Sequence, residues 1–346
     1  MTPTGGDAAA RTARRPSFII TIDVEADDCW GDQTSIRTAN AAHLPRFQAL
    51  CERYGLRPTY LVDWAMARDP AFQRFGRSLT ERGAGEIGMH LHAWTTPPLV
   101  PLTAADHRFK PFLTEYPEDV MAAKVETATR ILTQTFGVAP VSHRGGRWAL
   151  DETYARVLVG HGYLADCSVT PLVSWAGTLG APGGAGLRDY SAFPARPYFL
   201  HPADIGRAGD SPLLEVPMTI VPRRHGPLAA RAGRLLRRGR VTRRAARLLF
   251  PETVWMRPDG RNRRAMAEAL LRDDRDHVEF MLHSSELMPG GSPCFRTPRS
   301  VEALYRDMES LFSAAAGRFQ GRTLAEYRAE FAARDGHATG ALPDPV

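Results

Sequence analysis

The chain has 346 residues, 43% hydrophobic and 24% charged, with a formal net charge of +6. This is the composition of a folded globular protein long enough for one large core or two ordinary ones, which excludes a collagen-like or wholly disordered chain. No stretch approaches the ~18 consecutive apolar residues of a membrane span. The four cysteines, Cys29, Cys51, Cys167 and Cys294, form no CxxC pair, which argues against a disulfide scaffold or a cysteine zinc knuckle and for free thiols.

Residues 1–16 carry arginines but no apolar h-region, so they read as a disordered lead-in rather than a secretory signal, and a cytoplasmic location is expected. Strand-like runs follow at 17–25, 58–64, 86–92, 140–144, 163–168, 213–221 and 277–284. Amphipathic helical patterns separate many of them. One covers 41–54, stopped by Gly55, and another 70–82, stopped by Gly83. The clearest is PEDVMAAKVETATRILTQTFG, with Pro117, Glu118 and Asp119 suited to a first turn and Gly137 to the stop. Further helices fit 151–160, 261–272, 300–316 and 323–331. The Gly- and Pro-rich stretch 175–212 reads as one long loop or lid. Strand–helix alternation repeated about seven times predicts an α/β fold, a distorted (β/α) barrel of about seven parallel strands over 17–332, with 333–346 a flexible tail.

Basicity is local. From Arg223 to Phe250 there are ten arginines and no acid. The segment Arg223–Arg247 therefore predicts contact with anionic phosphate or the inner face of a membrane, against the alternative of a solvated Arg-rich helix. With few aromatics and no nucleic-acid motif, no nucleic-acid partner is expected.

In parallel α/β folds the site lies at the carboxyl ends of the strands. Here those ends carry Asp23 and Glu25, then His90 and His92, then Arg144, Asp166 and His283. Within EIGMHLHAW, strict alternation places Gly88, His90 and His92 on one strand face and Ile87, Met89 and Leu91 on the other. Two histidines and a carboxylate are a facial ligand set for one divalent metal, Zn²⁺ first and Co²⁺ or Ni²⁺ as alternatives. A carboxylate base, a histidine acid and an orienting arginine would complete equipment for amide or ester hydrolysis.

The blocks TIDVE, EIGMHLHAW, HRGGRW, LLEVPMT and FMLHSSELMPGGSP, in that order, resemble those of the polysaccharide deacetylase family, carbohydrate esterase family 4. The resemblance spans about residues 17–330. It implies a metal-dependent barrel that removes acetyl groups from sugars. By position, Asp23 matches the catalytic base, His90 a metal ligand, Arg144 the arginine on the base and His283 the general acid. A backbone N–H near Arg147 would hold the oxyanion. Two positions depart from the family pattern. Glu25 stands where the metal aspartate is usual, and Trp94 stands where the second histidine is usual, so His92 takes that role. The family's acid partner for the general-acid histidine falls to Asp166. Trp30, Trp94 and Trp148 follow site blocks closely and are candidates to stack on a sugar ring. Glu215 lies inside an apolar strand, where it would bind substrate or pair with an arginine.

The function expected is removal of an N-acetyl group from an amino sugar in a glycan precursor, a lipid- or nucleotide-linked sugar, or a glycosylated metabolite. Two other readings stand beside it: a two-metal amidohydrolase acting on another C–N bond, and a non-catalytic sugar- or phosphate-binding barrel.

Overall fold

The computed structural model describes residues 14–336 except 28, 32–34, 224, 227–230, 232–234, 237–241, 243–248, 250–251 and 273. Most of Arg223–Arg247 thus lies outside the described residues, as do 1–13 and 337–346. The chain runs β1 (Ser17–Val24), α1 (Leu44–Arg53), β2 (Thr59–Val62), α2 (Trp64–Ala67), α3 (Pro70–Glu81) and β3 (Glu86–Leu91). It continues through α4 (Asp106–Phe109), α5 (Glu118–Phe136), β4 (Ser142–Gly145), α6 (Glu152–Gly160) and β5 (Ala165–Asp166). A hairpin of β6 (Tyr198–His201) and β7 (Asp204–Ala208) precedes β8 (Leu214–Glu215), β9 (Ile220–Pro222) and β10 (Thr253–Trp255). Last come α7 (Arg263–Arg272), β11 (His277–His283), α8 (Pro298–Arg318), β12 (Gln320–Arg322) and α9 (Leu324–Asp335).

Among the described residues seven strands pair in parallel in the order β11-β1-β2-β3-β4-β5-β8, β12 pairs in parallel with β1 off that row, and the β6–β7 hairpin continues the sheet antiparallel. The curled sheet is an incomplete (β/α) barrel. Between β8 and β11 the wall is irregular: Met256 N–H donates to the Thr219 carbonyl, Met281 N–H to the Met256 carbonyl, and Glu279 N–H to Thr219 Oγ1.

Period-two alternation sorts the core into two layers. Phe18, Ile20, Ile22 and Val24 pack outward with Phe47, Phe280 and Phe312 beneath the helices. Ile19, Leu61, Ala165, Cys167, Leu214 and Val216 fill the barrel interior. Leu324 and Tyr327 of α9 join that inner cluster, and the N–H groups of Leu324 and Ala325 donate to Thr59 and Glu86 at the starts of β2 and β3. Helix α9 therefore plugs the amino end, and the carboxyl end is left as the open mouth.

Two expectations change. The stretch 175–212 is not one loop: Tyr198–Ala208 forms the β6–β7 hairpin, held by Tyr198 OH on the Ile205 carbonyl at 2.7 Å. The run 213–221 is not one strand, because Pro217 has no N–H to give the ladder and splits it into β8 and β9.

Candidate active site

Each polar strand end reaches the mouth because of its parity in the strand. On β1, Thr21, Asp23 and then Glu25 follow Ile19 on the inner face. On β3, His90 and His92 follow Gly88, whose missing side chain is required there: a Cβ would lie 2.7 Å from the Ser142 carbonyl oxygen and 2.7 Å from Leu61 Cδ2. On β11, His283 lies in register with Asp23. Asp23, Glu25, His90, His92, Arg144 and His283 all line one cleft of about 520 Å³, a size that suits a small ligand.

Arg144 lies almost wholly buried beneath the cleft, 1% exposed. Its Nη1 donates to Asp23 Oδ1 at 2.7 Å, its Nη2 to Thr21 Oγ1 at 2.8 Å and to Glu279, and its Nε to the Cys167 carbonyl at 3.0 Å. Burial alone would raise the Asp23 carboxyl, but Arg144, with His90 and His283, holds it below its ordinary value. Glu279 shares the same guanidinium deeper in the barrel, and there burial prevails, pushing it up to about 7.

Glu25, His90 and His92 place one ligating atom each within 4.8 Å of one another. His92 Nε2 is 2.6 Å and His90 Nε2 3.6 Å from Glu25 Oε2. His90 Nδ1 lies 2.9 Å from the Arg144 carbonyl. A carbonyl can only accept, so Nδ1 carries the proton and Nε2 presents its lone pair to the site. Two imidazoles and a carboxylate converging in this way fit one divalent ion. Among the described residues His92 Nδ1 is buried without a hydrogen-bond partner, and Gly146 leaves no room beyond it, since a Cβ there would stand 2.5 Å away.

His283 faces the cluster from across the cleft, its Nε2 3.8 Å from Asp23 Oδ2 and 3.5 Å from Glu25 Oε1. Arg257 Nη2 lies 3.1 Å from His283 Nδ1. Glu286 Oε2 lies 3.5 Å from the same Nδ1, so that nitrogen meets a donor and an acceptor together while Nε2 points toward the carboxylates. Glu286 anchors the arrangement, accepting from Arg257 at 3.2 Å and from the His283 backbone N–H at 2.9 Å. Burial would raise the Glu286 carboxyl, but Arg257 brings it down to about 2.

Arg257 and Glu286 correct the assignment of Asp166 as the partner of His283. Strand β5 is in register with His143 rather than Arg144, so Asp166 faces outward, where His143 Nδ1 lies 2.5 Å from its Oδ2 and Ser168 N–H donates to Oδ1 at 2.9 Å. Glu215 pairs in register with Asp166 and shares that outer face. It is fully buried, accepts from Val169 N–H at 3.0 Å, and is pushed well above its ordinary value by burial and by Asp166. Among the described residues Glu215 therefore neither lines the cleft nor pairs with an arginine.

Sequence reasoning also missed Glu279, Glu286 and Arg257. Only Glu286 left a local signal, standing three residues after His283, the spacing at which a carboxylate bonds back to a backbone N–H.

The three tryptophans all line the cleft. Trp30 packs against His283 with ring centroids 4.9 Å apart, Trp94 against His92 at 4.5 Å, and Trp148 lies under Arg144 at 5.0 Å. Arg147 and Trp148 have φ of 58° and 66°. Two successive left-handed non-glycine residues at a cleft wall are costly backbone, and they turn the HRGGRW segment into the mouth. Beneath His92, Lys124 Nζ donates to the carbonyls of Ala93, Thr96 and Pro98 at 2.8, 2.8 and 2.6 Å, fixing the loop that carries Trp94.

No protein-family model matches the sequence, and no curated protein matches it. Solved structures do. A protein from Mycobacterium smegmatis assigned as a polysaccharide deacetylase superposes with a TM-score of 0.51 and 16% identity, over 100% of this chain and 99% of that one. A protein from Parabacteroides distasonis assigned as a glycoside hydrolase/deacetylase gives 0.58 and 11%, over 92% and 71%. The allantoinase PuuE gives 0.50 and 13%, over 93% and 92%. The chain therefore has the fold of the polysaccharide deacetylases.

Proposed function

We propose that this protein is a metal-dependent hydrolase that removes an N-acetyl group from an amino sugar, in a glycan precursor, a lipid- or nucleotide-linked sugar, or a glycosylated metabolite. The observation that carries the reading is the convergence of Glu25, His90 and His92 within 4.8 Å, faced by Asp23 and His283 across one cleft. Glu25, His90 and His92 would hold one divalent ion, Zn²⁺ before Co²⁺ or Ni²⁺. When bound, such an ion supplies Lewis acidity, acidifying water and polarising an amide carbonyl.

The chain's own residues do the rest. Arg144 occupies Asp23 Oδ1 and keeps the carboxylate ionised, so Oδ2 is the atom left to accept a proton from the attacking water. The backbone N–H at Arg147 would stabilise negative charge developing on the acyl oxygen. His283 would give a proton from Nε2 to the departing amine, while Arg257 and Glu286 fix the ring. Trp30, Trp94 and Trp148 would bracket the sugar and exclude water.

The test is metal content per chain together with acetate release from N-acetyl sugars. One ion per chain, lost in His90→Ala/His92→Ala, with turnover abolished in a folded Asp23→Asn variant, is the expected result. Two ions per chain would favour the two-metal amidohydrolase. Absence of turnover on every N-acetyl sugar would favour a sugar-binding barrel or hydrolysis of another C–N bond, a reading to which the shared fold with the allantoinase lends weight. Among the described residues no helix is long and apolar enough to cross a membrane.

A further inference from the structure

Among the described residues, the cleft carries its two signs of charge in different places. Its described lining carboxylates are Asp23 and Glu25, both buried at the floor and both engaged by histidines or Arg144. Its outer part is lined by Arg108, Lys110, Arg147 and Arg257. Arg257 is compensated by Glu286, and Lys110 is bonded to the Cys29 and Gly31 carbonyls. Arg108 and Arg147 differ from both. Arg108 is exposed on α4, and among the described residues its guanidinium has no ion pair and no hydrogen bond. Among the described residues Arg147 bonds to backbone carbonyls alone, those of Phe109, Lys110 and Leu179, and it stacks 4.2 Å from the Phe112 ring centroid. The charge it feels most is Glu115, which lies outside ion-pair distance and is bonded to the N–H groups of Phe112 and Ala181.

Arg108 and Arg147 thus set two guanidiniums, with no carboxylate partner among the described residues, beside an aromatic-walled cleft. Planar guanidinium donors recognise phosphate and carboxylate oxygens in pairs. Arg147 is already held rigid by three carbonyls and an aromatic face, so little freedom is lost when it takes a ligand.

We infer that the cleft selects substrates bearing an anionic group, phosphate or carboxylate, outward of the acyl group, and that Arg108 and Arg147 recognise that group. The inference rests on the hydrolase reading for the position of the acyl group; the anion preference itself does not depend on turnover. It places substrate specificity in α4 and the HRGGRW turn, whatever the segment Arg223–Arg247 does.

The experiment uses the full chain loaded with Zn²⁺, with Asp23→Asn as the form for binding without turnover. Calorimetry compares N-acetylglucosamine with its 1-phosphate, its 6-phosphate and, as a carboxylate, N-acetylmuramic acid. The expected result is at least about tenfold tighter binding of one or more anionic probes at low ionic strength, with the preference shrinking as salt is added. A preference confined to the phosphates assigns phosphate; one shared with the carboxylate assigns a general anion site. Arg108→Glu, a substitution at an exposed position with no bond among the described residues, should abolish or invert the preference, and Arg147→Gln should reduce it. Equal affinity for neutral and anionic probes, or a preference that both variants leave untouched, overturns the inference. Acetate release from the neutral sugar without anion preference sinks this inference and spares the hydrolase. Anion preference without acetate release supports the inference while removing the hydrolase.

Discussion

Arg144 places its Nη1 2.7 Å from Asp23 Oδ1, joining two residues 121 positions apart across the barrel interior. The same guanidinium serves Thr21, Glu279 and the Cys167 carbonyl, a set that only a planar fork can satisfy at once. Arg144→Met would leave two buried carboxylates without their cation, at a cost of about 3–5 kcal/mol. Arg144→Lys should retain part of the stability and lose about a hundredfold in turnover, because one ammonium cannot hold Asp23 and Glu279 together. Urea unfolding alongside kinetics checks both, and a midpoint unchanged in Arg144→Met would show that the network contributes nothing.

Glu279 makes stability depend on pH. Burial raises it from 4.5 to about 7. Between those values the folded protein holds a proton there that the unfolded chain has released, so this contribution is complete below pH 4.5 and declines as pH rises through 7. The shift corresponds to at most about 3 kcal/mol. Glu279→Gln removes the ionisation, and its melting temperature should fall less than that of the wild type between pH 5 and pH 8. Parallel pH profiles for the two proteins would contradict this assignment.

Gly146 lies against the metal-ligand candidate His92. A Cβ at this position would meet both His92 Nδ1 and the Leu91 carbonyl oxygen at 2.5 Å, and the latter is backbone with little room to yield. Gly146→Ala should therefore tilt the imidazole and weaken metal affinity by about 10–100-fold, the size of effect seen when groups supporting a ligand are disturbed. Chelator competition measures it directly. Undiminished affinity would mean that His92 is not a ligand.

Glu286 acts through His283 and Arg257 rather than on substrate. Glu286→Gln keeps the shape but removes the charge that holds Arg257 at 3.2 Å. Turnover should fall about 10–100-fold with KM within about threefold, as expected when an acid is misplaced while binding is intact. A change in KM alone would instead make Glu286 a substrate-binding residue.

The α/β class, the parallel strands and most helices were legible because hydrophobic periodicity and stop signals are local. Helix α5 shows this well: Gly137, at φ 73°, ends it and donates its N–H to the Thr133 carbonyl. The inward set Asp23, Glu25, His90, His92, Arg144 and His283 was legible for a related reason, since alternation within a long strand fixes which residues share a face. The β6–β7 hairpin escaped because its strands are short and sit among turn residues, where pairing rather than propensity makes the strand.

What the sequence determined by itself was the inward face of each long strand and, through it, the acids, imidazoles and guanidinium that meet at the mouth. Tertiary structure alone decided the partners of those groups. Strand β5 is two residues long, so its facing depends on register with β4, and that register turned Asp166 and Glu215 away from the cleft. Arg257 reached His283 from a separate segment, and Glu279 came under Arg144 only when β11 paired with β1. Alternation is a property of one strand, whereas a hydrogen bond between strands exists only once their register is set.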